Sequence, residues 1–199
     1  MGYREEFCDI WRREVSRPGA DRLLEWLSST DFFKAPASTR FHGACEEGLV
    51  MHSLNVYHAL MDRFFEEGDN PESMAICGLL HDLCKANYYK TGSRNVKNEA
   101  TGQWEKVPIF MVEDQFPYGH GEKSVYLIER FIRLKPAEAV AIRWHMGGFD
   151  DAARGGCFAV SEAYNTYPLA VKLHIADLTA TYLMEQGTSE VENGHPKNK

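Results

Sequence analysis

The sequence feature that most constrains this chain is the pair His81-Asp82, which directly follows an apolar run from Met74 to Leu80. Imidazole and carboxylate groups are costly to bury unless hydrogen bonds or a cation compensate them. The pair therefore predicts a shared metal ion or a dedicated hydrogen-bond network. Lys85 follows Asp82 by about one helical turn and could reach a phosphate oxygen or a leaving group, with a surface lysine as the alternative.

The spacing of apolar residues predicts a helical protein. Proline and glycine at the breaks delimit helices over residues 4–16, 20–28, 48–67, 71–85, 121–134, 136–146 and 168–186. Residues 30–47 are predicted to form a turn and a loop, and 149–167 a loop with one short helix. Since strands and helices do not alternate, we expect a single all-α domain over residues 1–186 and a flexible tail at 187–199.

Residues 86–118 differ from the helical remainder. Aromatic and β-branched residues flank the turn signal Thr101-Gly102, which predicts an inserted β-hairpin or a long ordered loop. Between residues 85 and 106, five basic residues stand against two acidic ones. Two interpretations stay open: a solvated hairpin with its aromatic face on the core, or a lid over a substrate site.

Bulk composition limits the classes of partner. The net charge of −7 argues against a long nucleic acid or an anionic membrane, and the apolar runs are too short to span a bilayer. Small phosphorylated substrates remain open, because a metal ion supplies its own positive charge. The five cysteines form no paired spacing, and residues 1–6 show no signal-peptide pattern, so we expect a cytoplasmic protein; the sequence does not specify the oligomeric state.

Six imidazole and carboxylate side chains on or beside amphipathic helices form a candidate metal site: His52, His81, Asp82, His120, His145 and Asp177. One such histidine is more often a hydrogen-bonded core residue, so the combination carries the prediction. Four imidazoles with two carboxylates suit one or two divalent ions of Fe, Mn, Co, Ni or Zn. Two ions roughly 3.5–4 Å apart would bind a phosphoryl oxygen and provide a hydroxide at neutral pH.

The order His, His-Asp, His, His, Asp resembles the HD-domain superfamily of metal-dependent phosphohydrolases. Residues 48–53, 78–85, 118–124, 143–146 and 176–177 carry the resemblance. It implies an HD-type helical bundle in which His52, His81, Asp82 and Asp177 hold one ion. His120 and His145 match the extra ligands of the two-metal subgroup, which includes HD-GYP-like phosphodiesterases, with Asp82 as the bridge. The full HD-GYP signature after the third histidine is missing, so specificity for cyclic dinucleotides is not implied, and the insert departs from a minimal HD core.

The resemblance implies a phosphomonoesterase or phosphodiesterase acting on a nucleotide or small phosphoester. A metal-bound hydroxide would attack phosphorus, with Asp82 and Lys85 as catalytic residues. Lys123, His42 and Arg40 are the candidate substrate-binding residues. Two alternatives remain: a di-iron oxygenase with the same fold and ligand order, and a non-catalytic sensor that binds a metal or nucleotide.

Overall fold

The computed structural model of this chain describes residues 2–40, 43–99 and 101–185. His42 and the predicted tail at 187–199 lie outside the described residues. The elements in chain order are α1 (Tyr3–Glu14), α2 (Ala20–Ser29), α3 (Gly48–Phe64), α4 (Pro71–Leu80), β1 (Tyr89–Lys97), β2 (Trp104–Val112), α5 (His120–Glu129), α6 (Pro136–Trp144), α7 (Asp151–Arg154), α8 (Ala159–Thr166) and α9 (Pro168–Thr179). The structure is therefore mostly helical with an inserted hairpin, as the sequence predicts, whereas an HD-type bundle and a single domain stay predictions.

Several predicted boundaries are wrong. The helices predicted over residues 48–67, 121–134 and 168–186 end at Phe64, Glu129 and Thr179. The helix predicted over residues 71–85 ends at Leu80, because Asp82 leaves the helical conformation (φ −100°, ψ 21°) and Leu83–Lys85 forms a 3₁₀ turn. Residues 149–167 contain two short helices, α7 and α8, rather than one. Asp150 starts the first of them: its Oδ1 accepts hydrogen bonds from the backbone N–H groups of Ala152 and Ala153 at 2.9 and 3.4 Å.

The helices share one continuous cluster of buried apolar residues. Helix α3 packs against α1, α4 and α9, and α6 packs against α5 and α9. Local signals place the helix starts: the side chain of Asn70 accepts a hydrogen bond from Ser73 N (2.9 Å), and prolines open α4, α6 and α9. No helix in the described ranges has both the length and the apolar character needed to cross a membrane.

The insert forms an antiparallel hairpin. Strands β1 and β2 pair in register from Tyr89↔Val112 to Lys97↔Trp104. Every residue of both strands is exposed or half-buried, and Trp104 is 69% exposed. The interpretation that an aromatic face of this hairpin packs on the core is therefore wrong for Trp104. A role of the hairpin as a lid stays a prediction.

A buried ion pair joins three chain segments outside the cluster around His81 and Asp82. Arg17, between α1 and α2, donates from both Nη atoms to the two carboxylate oxygens of Glu138 on α6, at 2.8 and 2.9 Å. Ser73 on α4 also donates to Glu138 (2.6 Å), and Glu72 accepts from Arg17 (2.9 Å). Because Glu138 is fully buried, this bidentate pair fixes how the starts of α4 and α6 meet.

Candidate metal centre

The six predicted ligand residues lie in one cluster. His52 belongs to α3, His81 and Asp82 to the turn after α4, His120 begins α5, His145 follows α6, and Asp177 belongs to α9. The side chains of His52, His81, Asp82 and His145 are at most 3% exposed. Five separate segments of the chain thus place imidazole and carboxylate groups in one buried volume.

Two glycines allow the helices to bring these residues together. A Cβ on Gly78 would lie 2.7 Å from the Tyr57 Cα, so α4 can approach α3 closely only without a side chain there. A Cβ on Gly121 would lie 2.2 Å from the Arg143 carbonyl oxygen, so α5 can approach the end of α6 closely only without a side chain there. The first contact sets the distance between the segments of His52 and His81, and the second sets that between the segments of His120 and His145.

Asp82 lies at the middle of the cluster. Its Oδ1 is 2.8 Å from His120 Nε2 and 3.5 Å from His145 Nε2. Its Oδ2 is 3.7 Å from the Nε2 atoms of both His52 and His81. The two oxygens of one carboxylate thus face two different pairs of imidazoles, and Oδ2 also lies 2.6 Å from Lys85 Nζ.

The remaining donor atoms are spaced as ligands of one ion. His52 Nε2 lies 3.3 Å from His81 Nε2 and 3.3 Å from Asp177 Oδ1. Two ligands at metal distances of about 2.0–2.1 Å are separated by roughly 2.9–3.4 Å for octahedral to tetrahedral angles. The group formed by His52, His81 and Asp177 therefore fits a divalent ion.

The second ring nitrogens fix the tautomers of two histidines. His81 Nδ1 donates to the Gly78 carbonyl (2.9 Å), and His145 Nδ1 donates to the Ile142 carbonyl (2.6 Å). Their Nε2 lone pairs then point into the cluster. His145 Nε2 has no hydrogen-bond partner among the described residues although its residue is fully buried. A lone pair that faces a carboxylate oxygen without a proton between them suits a cation.

Charge coupling within the cluster is strong. Burial alone would lower the pKa of His52, because it disfavours the charged imidazolium. The hydrogen bonds with Asp177 and Glu185 have the larger combined effect and raise the pKa of His52 to about 10. Burial lowers the pKa of His81 to about 3. Burial would raise the pKa of Asp82, but the positive charge of Lys85 and the nearby imidazoles hold it well below its usual range. Both carboxylates that would ligate, Asp82 and Asp177, are thus ionised at neutral pH.

Sequence reasoning missed Glu185, which supports His52 from behind. Its carboxylate oxygens lie 3.0 and 3.2 Å from His52 Nδ1, and Asn55 Nδ2 donates to Oε1 at 2.9 Å. A π-helical turn over Ala180–Met184 brings Glu185 to α3, where its side chain is fully buried. In a continuous α-helix Glu185 would lie about 80° around the axis from Asp177, so helical periodicity gave no signal for this contact.

Glu185→Gln is expected to weaken metal binding at the His52 position by about 10–100-fold, because a carboxylate that accepts from the ring N–H orients the ligand and raises its basicity. Equilibrium dialysis followed by metal analysis measures the affinity. Glu162→Gln, on the exposed surface of α8, is the matched control and should leave the affinity unchanged. Equal affinity in both variants would show that the contact to His52 does not support a ligand.

The structure also locates the other predicted residues. Lys85 Nζ lies 2.6 Å from Asp82 Oδ2. Lys123 is only 6% exposed; it donates to Asp114 Oδ1 at 2.6 Å and lies over the Tyr88 ring, so it is not an ordinary surface lysine. Arg40 is exposed in the loop before α3. The catalytic role of Lys85 and the substrate-binding roles of Lys123, Arg40 and His42 stay predictions.

A cleft of about 470 Å³ reaches the His120 side of the cluster. Its lining includes Cys84, Tyr88, His120, Lys123 and Arg143. This volume lies within the range of small-molecule sites, roughly 300–1,000 Å³. The cleft therefore gives a small ligand access to one side of the candidate metal centre.

No protein-family model, curated protein or solved structure matches this chain. The resemblance to the HD-domain superfamily thus depends on the motif segments alone. The structure itself establishes clusters of buried His, Asp and Cys side chains that could hold metal ions.

Proposed function

We propose that this chain is a metal-dependent phosphohydrolase that acts on a nucleotide or another small phosphoester. The observation that carries the proposal is the position of Asp82, whose two oxygens face different pairs of histidines within 3.7 Å. A carboxylate shared between two imidazole pairs suits two neighbouring divalent ions of the borderline class. His52, His81, Asp82 and Asp177 would hold one ion, and Asp82, His120 and His145 the other.

Divalent ions bound there would supply a water of lowered pKa and positive charge for the phosphoryl oxygens. The protein side chains provide the rest of the chemistry. Asp82 is buried and ionised, because Lys85 and the nearby imidazoles hold its pKa well below its usual range, and it would orient the attacking water. Lys85, beside Asp82, carries positive charge that would stabilise negative charge on the phosphoryl group.

The cleft beside His120 carries charges of both signs. Lys123 and Arg143 line it together with four carboxylates, those of Asp114, Glu122, Asp150 and Asp151, and both cations form ion pairs with carboxylates of this lining. Positive charge for a small phosphoester would therefore come from the bound ions, while the net charge of −7 disfavours a long polyanion. Tyr88 and Phe149 in the same lining offer apolar surface for a nucleobase or an aromatic leaving group.

A phosphate-release assay tests the proposal. Protein stripped with a chelator is reloaded separately with Mn²⁺, Fe²⁺, Co²⁺ and Zn²⁺, and is offered p-nitrophenyl phosphate, its bis ester and a panel of nucleotides. We expect metal-dependent hydrolysis of at least one substrate. His120→Ala should reduce the bound metal from two ions to one and abolish turnover. His58→Ala removes an imidazole that is hydrogen-bonded to Glu6 at the surface. This control variant should retain both metal ions and full turnover.

The alternatives have their own signatures. Substrate-dependent oxygen uptake by the iron-loaded protein without phosphate release would replace the proposal by a di-iron oxygenase. Tight nucleotide binding without either reaction would replace it by a sensor. Retention of two ions in His120→Ala would show that His120 is not a ligand.

A further inference from the structure

The backbone at the end of α6 carries His145 into a turn that is no longer α-helical. Helix α6 ends at Trp144, and the last carbonyl groups of a helix have no partner within it. In a continued helix the Phe149 N–H would donate to the His145 carbonyl oxygen, but here it donates to the Met146 carbonyl oxygen at 3.0 Å. The His145 carbonyl oxygen therefore takes its partner from elsewhere in the fold.

Two side chains from α8 and α9 bond to this end of α6. His174 Nδ1 donates to the His145 carbonyl oxygen at 2.6 Å, and the Tyr164 hydroxyl donates to the Trp144 carbonyl oxygen at 3.2 Å. Gly147 leaves room for both rings: its φ is +54°, and a Cβ there would lie 2.6 Å from His174 Cε1 and 2.8 Å from the Tyr164 hydroxyl oxygen. The turn that carries His145 is thus built around these two side chains.

The ring of His145 follows its own main chain. His145 Nδ1 donates to the Ile142 carbonyl oxygen at 2.6 Å, which fixes the ring relative to α6. The buried Nε2 has no hydrogen-bond partner in the described part of the chain and lies 3.5 Å from Asp82 Oδ1. Because metal–nitrogen distances are held near about 2.0–2.1 Å, a small displacement of this main chain would move Nε2 out of reach of an ion. The bond from His174 therefore bears on the ligand nitrogen.

The helix that carries His174 also reaches the other proposed ion position. Asp177 lies on α9 about one helical turn after His174, and its Oδ1 is 3.3 Å from His52 Nε2. His174 itself belongs to none of the groups of described side chains that are spaced to hold an ion. Helix α9 thus offers a ligand to one ion position directly and supports a ligand of the other through the His145 backbone.

We propose that His174 is a positioning residue for the ion held by Asp82, His120 and His145. Its hydrogen bond to the His145 carbonyl oxygen keeps the His145 Nε2 lone pair directed at Asp82, so α9 sets both ion positions. The inference rests on the proposed metal centre. A contact that only completes the end of a helix would change the stability of the fold and leave the relative affinities of the two ion positions as they are.

Two variants of similar side-chain shape test the donated bond. His174→Asn keeps an N–H donor on Cγ, whereas His174→Leu removes the donor. The chelator-stripped proteins are dialysed against graded Zn²⁺, and the bound zinc is measured by metal analysis. We expect His174→Leu to weaken the binding step that His120→Ala also removes by about 10–100-fold and to leave the other step unchanged. His174→Asn should retain both steps. An unaltered step in His174→Leu, equal weakening in the two variants, or loss of both ions in His174→Leu would overturn the proposal.

Nuclear magnetic resonance of the metal-free wild type does not depend on the folding of a variant. Nitrogen chemical shifts distinguish a protonated Nδ1 from a protonated Nε2, and we expect His174 to carry a slowly exchanging proton on Nδ1. A proton on Nε2 alone would overturn the proposal. Neither measurement requires hydrolysis. The expected zinc result without phosphate release would refute the phosphohydrolase and keep His174 as a positioning residue, whereas phosphate release with unaltered zinc binding in His174→Leu would do the reverse.

Discussion

Asp82→Ala is expected to lose both bound metal ions and all hydrolysis. Removing the carboxylate takes one ligand from each of the two proposed ion positions, because its two oxygens face different pairs of imidazoles. The loss of affinity should exceed the roughly 10–100-fold effect of removing a group that only supports a ligand. It also leaves the Lys85 ammonium, now 2.6 Å from Asp82, without its anionic partner beside the remaining imidazoles. Elemental analysis of protein purified without chelator measures the metal, and phosphate release measures the reaction.

Controls separate loss of ligands from loss of fold. Asp62→Ala removes an exposed carboxylate from α3 and should retain both ions and full activity. Circular dichroism shows whether Asp82→Ala keeps its helices. If the folded Asp82→Ala variant still carries two ions, Asp82 does not bridge them, and the proposal of a metal centre built on a shared carboxylate is wrong.

Glu138→Ala is expected to lower the free energy of unfolding by about 3–5 kcal/mol, the usual effect of breaking a buried ion pair and leaving one charge uncompensated. Arg17 would lose two hydrogen bonds of 2.8 and 2.9 Å and keep only Glu72 as a carboxylate partner. Urea denaturation measures the change. Asp9→Ala breaks an exposed pair with Arg12 and should cost no more than about 1 kcal/mol.

The same pair predicts a dependence of stability on pH. Burial would raise the pKa of Glu138, but the hydrogen bonds from Arg17 and Ser73 hold it below its ordinary value of 4.5. The folded state therefore binds the proton less readily than the unfolded state, and the stabilisation is present above pH 4.5 and is lost as the pH falls below it. Glu138→Ala should reduce this slope. An equal acid dependence in both proteins would show that Glu138 does not contribute to it.

The helices could be predicted because their signals are local. Apolar residues at helical spacing and caps such as Asn70-Pro71 act within a few residues of each helix start. The end of α4 could not be predicted from local signals. Asp82 leaves the helical conformation and lies among imidazoles from α3, α5 and the segment after α6, which are distant along the chain. The short helix α7 follows the Asp150 cap, which is a local signal that the sequence interpretation overlooked.

By itself, the sequence determined the identities of the six clustered residues through their combination and order, because any one such histidine is more often a hydrogen-bonded core residue. Only the tertiary structure decided what surrounds them. Glu185 reaches His52 through a π-helical turn, and His174 reaches the His145 carbonyl oxygen because α9 packs against α6. These contacts join residues 29 to 133 positions apart, and no local pattern encodes which distant backbone approaches closely enough to bring a second side chain into the site.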